Sequence, residues 1–125
     1  MSKNRKKNYK DIWLDEPLKH DFPAALDYLE LLMNRPFAES LIEQLEDTDT
    51  VLKKAKDILR ASGLPLLSKT NVHVKENLKK VKSGKKLSPI LLLRYGKKLI
   101  IADGYHRLCS IYYLSEDLTI PCRLV

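Results

Sequence analysis

The last forty residues constrain the fold most. Two short apolar runs, Ile90–Leu93 and Leu99–Ala102, flank Tyr95-Gly96-Lys97. Short apolar runs on either side of a glycine-bearing turn predict a β-hairpin, placed at Pro89–Arg94 and Leu99–Ala102. Asp103-Gly104 comes at once after it, and then Leu108, Ile111, Tyr112 and Ser115 recur at helical spacing. Ser115–Leu118 is a polar exit, and Thr119–Val125 reads as a closing strand. Strand, strand, helix, strand behind a helical first half predicts an α+β domain: a small mixed sheet packed with helices.

The helical half begins at Asp21, read as a cap with Pro23 in the first turn, where a missing N–H costs nothing. Phe22, Ala25, Leu26, Leu29, Leu32 and Met33 then keep a helical period, which Asn34-Arg35 breaks. Pro36 opens a second helix with Phe37, Leu41, Ile42 and Leu45 on one face, completing a helical hairpin. Residues 50–62 fit either a helix or a short strand followed by a helical turn, ended by Gly63 and Pro65. A further helix spans about Asn71 to Lys82. Val74, Leu78 and Val81 face inward, Thr70 or Asn71 caps it, and Gly84 terminates it. Trp13 with Leu14 is expected to pack the N-terminal segment onto the core or a partner.

The chain has 125 residues, 44% of them hydrophobic and 31% charged, which is globular rather than disordered. One domain over 11–125 is expected, with a helical extension at 11–48 and residues 1–10 as a basic disordered tail. Neither apolar run approaches the roughly 20 residues that span a bilayer. The basic start lacks an apolar h-region, so no signal peptide is read. Cys109 and Cys122 form no CxxC. A cytoplasmic chain with reduced thiols is the expectation, with Cys109 a small packing residue. No residue set has metal-site spacing, and His20-Asp21 lacks the partners to complete one.

Charge is uneven. The net charge is +7, yet residues 69–98 hold ten Lys/Arg against one Glu, and residues 1–10 hold five and no acid. Polyanions are the natural partners of such segments. Lysines 75, 79, 80, 82, 85 and 86 also fit a plain solvated helix face. No aromatic residue is interleaved with them, which weakens a single-strand stacking role.

Chemistry concentrates at Ile100-Ile101-Ala102-Asp103-Gly104-Tyr105-His106-Arg107-Leu108. A strand that stops at a glycine and hands over to a helix leaves the first helical amides without intrahelical acceptors. Those amides and the helix dipole attract anions, and Gly104 lets backbone approach closely. Arg107 adds a planar fork suited to phosphate oxygens. Asp103 also fits an ordinary cap, and Arg107 an ion pair with Asp103 or Glu116.

These residues resemble the ParB/sulfiredoxin superfamily. Gly104-Tyr105-His106-Arg107 matches its G-x-[HR]-R motif at a helix N-terminus, and Ile120-Pro121 its entry to the final strand. The likeness runs from about Asn71 to the end and, more weakly, back to Val51. It implies a ParB-like fold in which Gly104, His106 and Arg107 contact nucleotide phosphates, with backbone help from Tyr105. His73 and Lys80 would contribute from the upstream helix. Asp103 matches the D-G-x-H-R form of the free-serine-kinase branch, which implies a part in catalysis or in holding a metal. Tyr105 stands where sulfiredoxins carry their nucleophilic cysteine, so sulfinic-acid reduction is not implied. The helix-turn-helix domain of the partition proteins has no counterpart after the closing strand. The resemblance implies ATP or CTP with Mg²⁺ as ligand, and a nucleotide hydrolase or phosphotransferase if turnover occurs. The alternatives are a non-catalytic interaction module, with a protein partner or a second copy, and, less favoured, a nucleic-acid-binding accessory protein.

Overall fold

A computed structural model describes residues 12–125, so the expected basic tail lies outside the described residues. The helices are α1 (Asp21–Leu29), α2 (Arg35–Asp47), α3 (Ala55–Ser62), α4 (Val72–Lys82) and α5 (Tyr105–Leu114). The strands are β1 (Thr50–Lys54), β2 (Ile90–Tyr95), β3 (Lys98–Asp103) and β4 (Thr119–Leu124). The sheet order is β1-β4-β2-β3. β4 runs antiparallel to β1 and parallel to β2, and β2–β3 is the expected hairpin. The α+β class is therefore correct. Residues 50–62 resolve into strand then helix, the second of the two readings.

β2 organises the core. Ile90, Leu91, Leu92 and Leu93 are all buried, which is what a strand covered on both faces requires. Ile90 and Leu92 join Ile101, Ile120, Leu108, Ile111, Ile58, Val81 and Trp13 on the face under α3, α4 and α5. Leu91 and Leu93 join Ala102, Ala25, Leu29, Leu41 and Leu45 on the face under α1 and α2. The period-2 alternation of a strand thus splits one apolar run between two cores. Each fully buried Leu or Ile contributes about 1.5–3 kcal/mol. The helical hairpin covers the second sheet face instead of standing apart from the sheet. Trp13 packs as expected, nearly fully buried, and bridges to Leu87.

Pro121 lies in an interior strand, yet β2 pairs with β4 only from Cys122 onward. The missing N–H falls before the parallel ladder begins, so it leaves no gap there.

Three local expectations need correction. Asp21 is not the cap of α1: His20 occupies that position, and the buried Asp21 carboxylate accepts from the Leu18 amide at 2.9 Å. An Asp one position into a helix can reach back as well as forward, and here the preceding turn offers the donor. Phe37 is 46% exposed, and Ala38 takes its place in the core. α1 ends at Leu29, so Leu32 falls outside it and is 43% exposed. Asn34 caps α2 through the Phe37 amide, and Asn71 caps α4 through His73 and Val74.

Arg123 ties three elements together. Its Nε donates to Thr50 Oγ1 at 3.0 Å, and its Nη1 donates to the Leu45 and Glu46 carbonyls at 3.0 and 2.8 Å. These are last-turn carbonyls of α2, where a cation also favours the dipole. Replacing Arg123 with Met should lower unfolding free energy in urea by about 2 kcal/mol, the scale of a lost charged hydrogen-bond set. A change below about 0.5 kcal/mol, the scatter of ordinary surface substitutions, would show that this tie is unimportant.

Candidate functional site

The site forms where β3 hands over to α5. β3 carries a bulge there. Leu92 pairs with Ile101 but Leu91 pairs with Asp103, leaving Ala102 extra. A bulge bends a strand and re-aims the residues after it, and here it sets Asp103 opposite Leu91 at the strand end.

Gly104 comes next with φ 112° and ψ 16°, a conformation L side chains rarely adopt. A Cβ on Gly104 would also meet Ile90, at 2.7 Å from that residue's Cβ. The turn therefore needs glycine twice over, for its dihedrals and for its seat against the central strand. Gly104 offers no side-chain cap to α5. The first bond of the helix runs from the Leu108 amide to the Gly104 carbonyl. The amides of Tyr105, His106 and Arg107 precede that bond and carry the positive end of the dipole.

These residues open into a cavity of about 260 Å³ lined by His73, Glu76, Asn77, Lys80, Asp103, Gly104, Tyr105, His106 and Arg107. All seven residues singled out in the sequence meet there, including His73 and Lys80 from α4. Glu76 and Asn77 were missed. They belong to the same α4 face by the 73, 76/77, 80 spacing, so helical periodicity counted from His73 would have found them. Asn77 is only 9% exposed as a residue; its side chain makes no hydrogen bond to the described residues, and its polar atoms open onto the cavity.

Arg107 is committed. Its Nη2 lies 3.0 Å from Asp103 Oδ2 and donates to the Pro89 carbonyl at 3.3 Å. The ion-pair alternative read from the sequence is thus realised with Asp103, not Glu116. Arg107 Nε is buried without a partner. Burial pushes the Asp103 carboxyl above its ordinary range, and the opposing pull of Arg107 is smaller. His73 and His106 meet edge-to-face, ring centroids 4.8 Å apart, and His73 Nδ1 lies 3.7 Å from Glu76 Oε1. Burial, then His73, then Arg107 hold the His106 imidazole below its ordinary value.

Tyr105 also has a side-chain role. Its phenol donates to the Pro65 carbonyl, and Tyr113 donates to the Leu67 carbonyl at 2.6 Å. Together they strap the α3–α4 loop across α5. Cys109 and Cys122 are buried, and burial pushes both thiols up, Cys122 to about 11. Neither is an activated nucleophile.

Cavity charge limits what the site can hold. Arg107 and Lys80 are balanced by Asp103 and Glu76 when both histidines are neutral. Attraction for an anion then rests on the α5 amides, the dipole and the Asn77 amide, and a multiply charged guest needs a counter-cation or a histidine proton. No group of three or more His, Cys, Asp or Glu among the described residues could hold a metal alone. Four larger clefts lie elsewhere, two of about 420 and 350 Å³ along α2. An apolar one of about 460 Å³ touches Leu78, Val81 and Leu114, and a mixed one of about 720 Å³ touches Lys56, Asp57 and Glu116. The mixed cleft touches the start of α3, but there the Ala55 and Lys56 amides already donate to the Leu118 and Glu116 carbonyls.

No protein-family model, curated protein or solved structure matches the chain. Among the described residues no helix is long and apolar enough to cross a membrane.

This geometry can be checked at two residues. Gly104→Ala should cost about 2–5 kcal/mol in urea unfolding, from left-handed strain plus overpacking against Ile90; a loss under about 1 kcal/mol would contradict the seat described. His106 should titrate below 6.5 by imidazole NMR. A proton held more weakly in the folded chain than in the unfolded one means stability is lost as pH falls below that value. A midpoint above 6.5 would reverse the sign and contradict the surroundings assigned to the ring.

Proposed function

We propose that the chain is a ParB/sulfiredoxin-like domain that binds the phosphates of ATP or CTP at the N-terminus of α5. The observation that carries this reading is a convergence of donors: the Asn77 side chain and the open amides of Tyr105, His106 and Arg107 line one cavity. Both are donors waiting for an acceptor, and phosphate oxygens are the acceptors that helix starts favour. Lys80 adds charge and His106 a ring N–H donor.

The near-neutral cavity supports Mg²⁺ as part of the ligand. Mg²⁺ in nucleotide sites takes most of its ligands from phosphates and water, with one or two protein carboxylates. Asp103 and Glu76 are the carboxylates present, and Asp103 sits at the helix start. Mg²⁺ would neutralise phosphate charge there. Where Glu76 or water holds the Mg²⁺, Asp103 is the proton acceptor for a water or hydroxyl attacking the terminal phosphate. Arg107 balances its charge and holds it in place. The proposed turnover is hydrolysis or phosphoryl transfer, in which positioning supplies most of the rate.

Calorimetry with ATP and CTP, with and without Mg²⁺, tests binding. Heat of binding is expected with Mg²⁺ present, and the double substitution His106→Ala/Asn77→Leu should weaken it at least about ten-fold, roughly 1.4 kcal/mol. Unchanged affinity in that variant removes the site. Phosphate release lost in Asp103→Asn, with binding retained, would support turnover.

A second reading, an interaction module, is favoured by one feature. Tyr28, Leu31 and Leu32 at the tip of the helical hairpin are exposed, Leu31 by 81%. Light scattering should then show self-association that Leu31→Glu abolishes.

A further inference from the structure

α4 presents three faces. Val74 and Val81 enter the core, and His73, Glu76, Asn77 and Lys80 line the cavity. The third face carries Lys75, Lys79 and Lys82, all exposed, and Lys85 and Lys86 continue it past the helix end. The fold separates this stripe from the cavity, a distinction that charge along the chain does not carry. At 1.5 Å rise per residue, Lys75, Lys79 and Lys82 stand about 6 and 4.5 Å apart along one line.

Plain solvation explains this stripe poorly. Like charges three and four residues apart cost a helix a few tenths of a kcal/mol per pair. Lys79 and Lys82 repay part of that at the helix end through the dipole, but Lys75 stands in the first turn, where a cation opposes it and no acid is present. The single acid of α4, Glu76, is turned to His73 rather than to a lysine. Among the described residues none of these five lysines forms an ion pair. A polyanion laid along the stripe removes the repulsion.

We propose that this stripe binds the sugar–phosphate backbone of double-stranded nucleic acid without regard to sequence. Lysine meets phosphates as a point charge and lacks the planar fork that favours bidentate base contacts. Residues 72–86 hold no Phe, Tyr or Trp, so the stacking platform that single strands need is missing. The site is distinct from the nucleotide cavity and does not depend on it.

Fluorescence anisotropy of the full chain with a labelled short duplex of arbitrary sequence tests this. Binding at low salt should weaken steeply as salt rises. Lys75→Glu/Lys79→Glu/Lys82→Glu should cut affinity at least about ten-fold and flatten the log–log salt slope by about 3. Lys53→Glu/Lys54→Glu/Lys97→Glu changes net charge equally from β1 and the β2–β3 turn, and should cost less than a third of that. The Gln versions of both triples serve if the Glu versions fail to fold by circular dichroism. His106→Ala should leave duplex affinity unchanged, which separates this surface from the cavity. Absent duplex binding at low salt, equal losses in the two triples, or tighter binding of the matching single strand would each overturn the proposal.

Discussion

The contact between Gly104 and Ile90 governs both fold and site. Ile90 opens the strand that supplies both cores, so its position is set by packing on two faces. α5 can start against it only if the residue at the handover has no Cβ. The close seat leaves the helix start without a side-chain cap, and the amides of Tyr105, His106 and Arg107 face a cavity instead. The site is therefore a consequence of how tightly the last helix is set on the sheet. The bulge at Ala102 serves the same end, because it sets Asp103 where Arg107 can neutralise it one turn on.

α4 joins this arrangement from the other side. Its polar face closes the cavity, while Ser110 Oγ donates to the Val74 carbonyl at 3.1 Å and anchors it on α5. The tyrosine straps fix the loop that leads into α4. Helix, loop and handover are thus positioned by α5, and cavity shape is set by one rigid element. Sites held this way lose little on binding, since their donors are already ordered.

Much of this was legible in the sequence because the decisive signals are local. Apolar runs and a glycine suffice to place the hairpin, the α5 start and the closing strand. His73 and Lys80 were placed by the resemblance and came to the cavity. The features that escaped depend on contacts across the fold. Asn77 adjoins the inward positions Val74 and Val81, and only the packing of α4 against α5 turns it to the cavity. Asp21 could cap forward or backward, and only the turn at Leu18 decides. The phenol of Tyr105 finds Pro65 forty residues away, which no local pattern encodes. Residues 50–62 were ambiguous because β1 exists through pairing with β4.

Amide chemical-shift mapping during titration with inorganic pyrophosphate and Mg²⁺ bears most directly on the central claim. Saturable shifts are expected, confined to the backbone amides of Tyr105, His106 and Arg107 and the side-chain amide of Asn77. Shifts scattered over surface lysines, with those four signals unmoved, would contradict it.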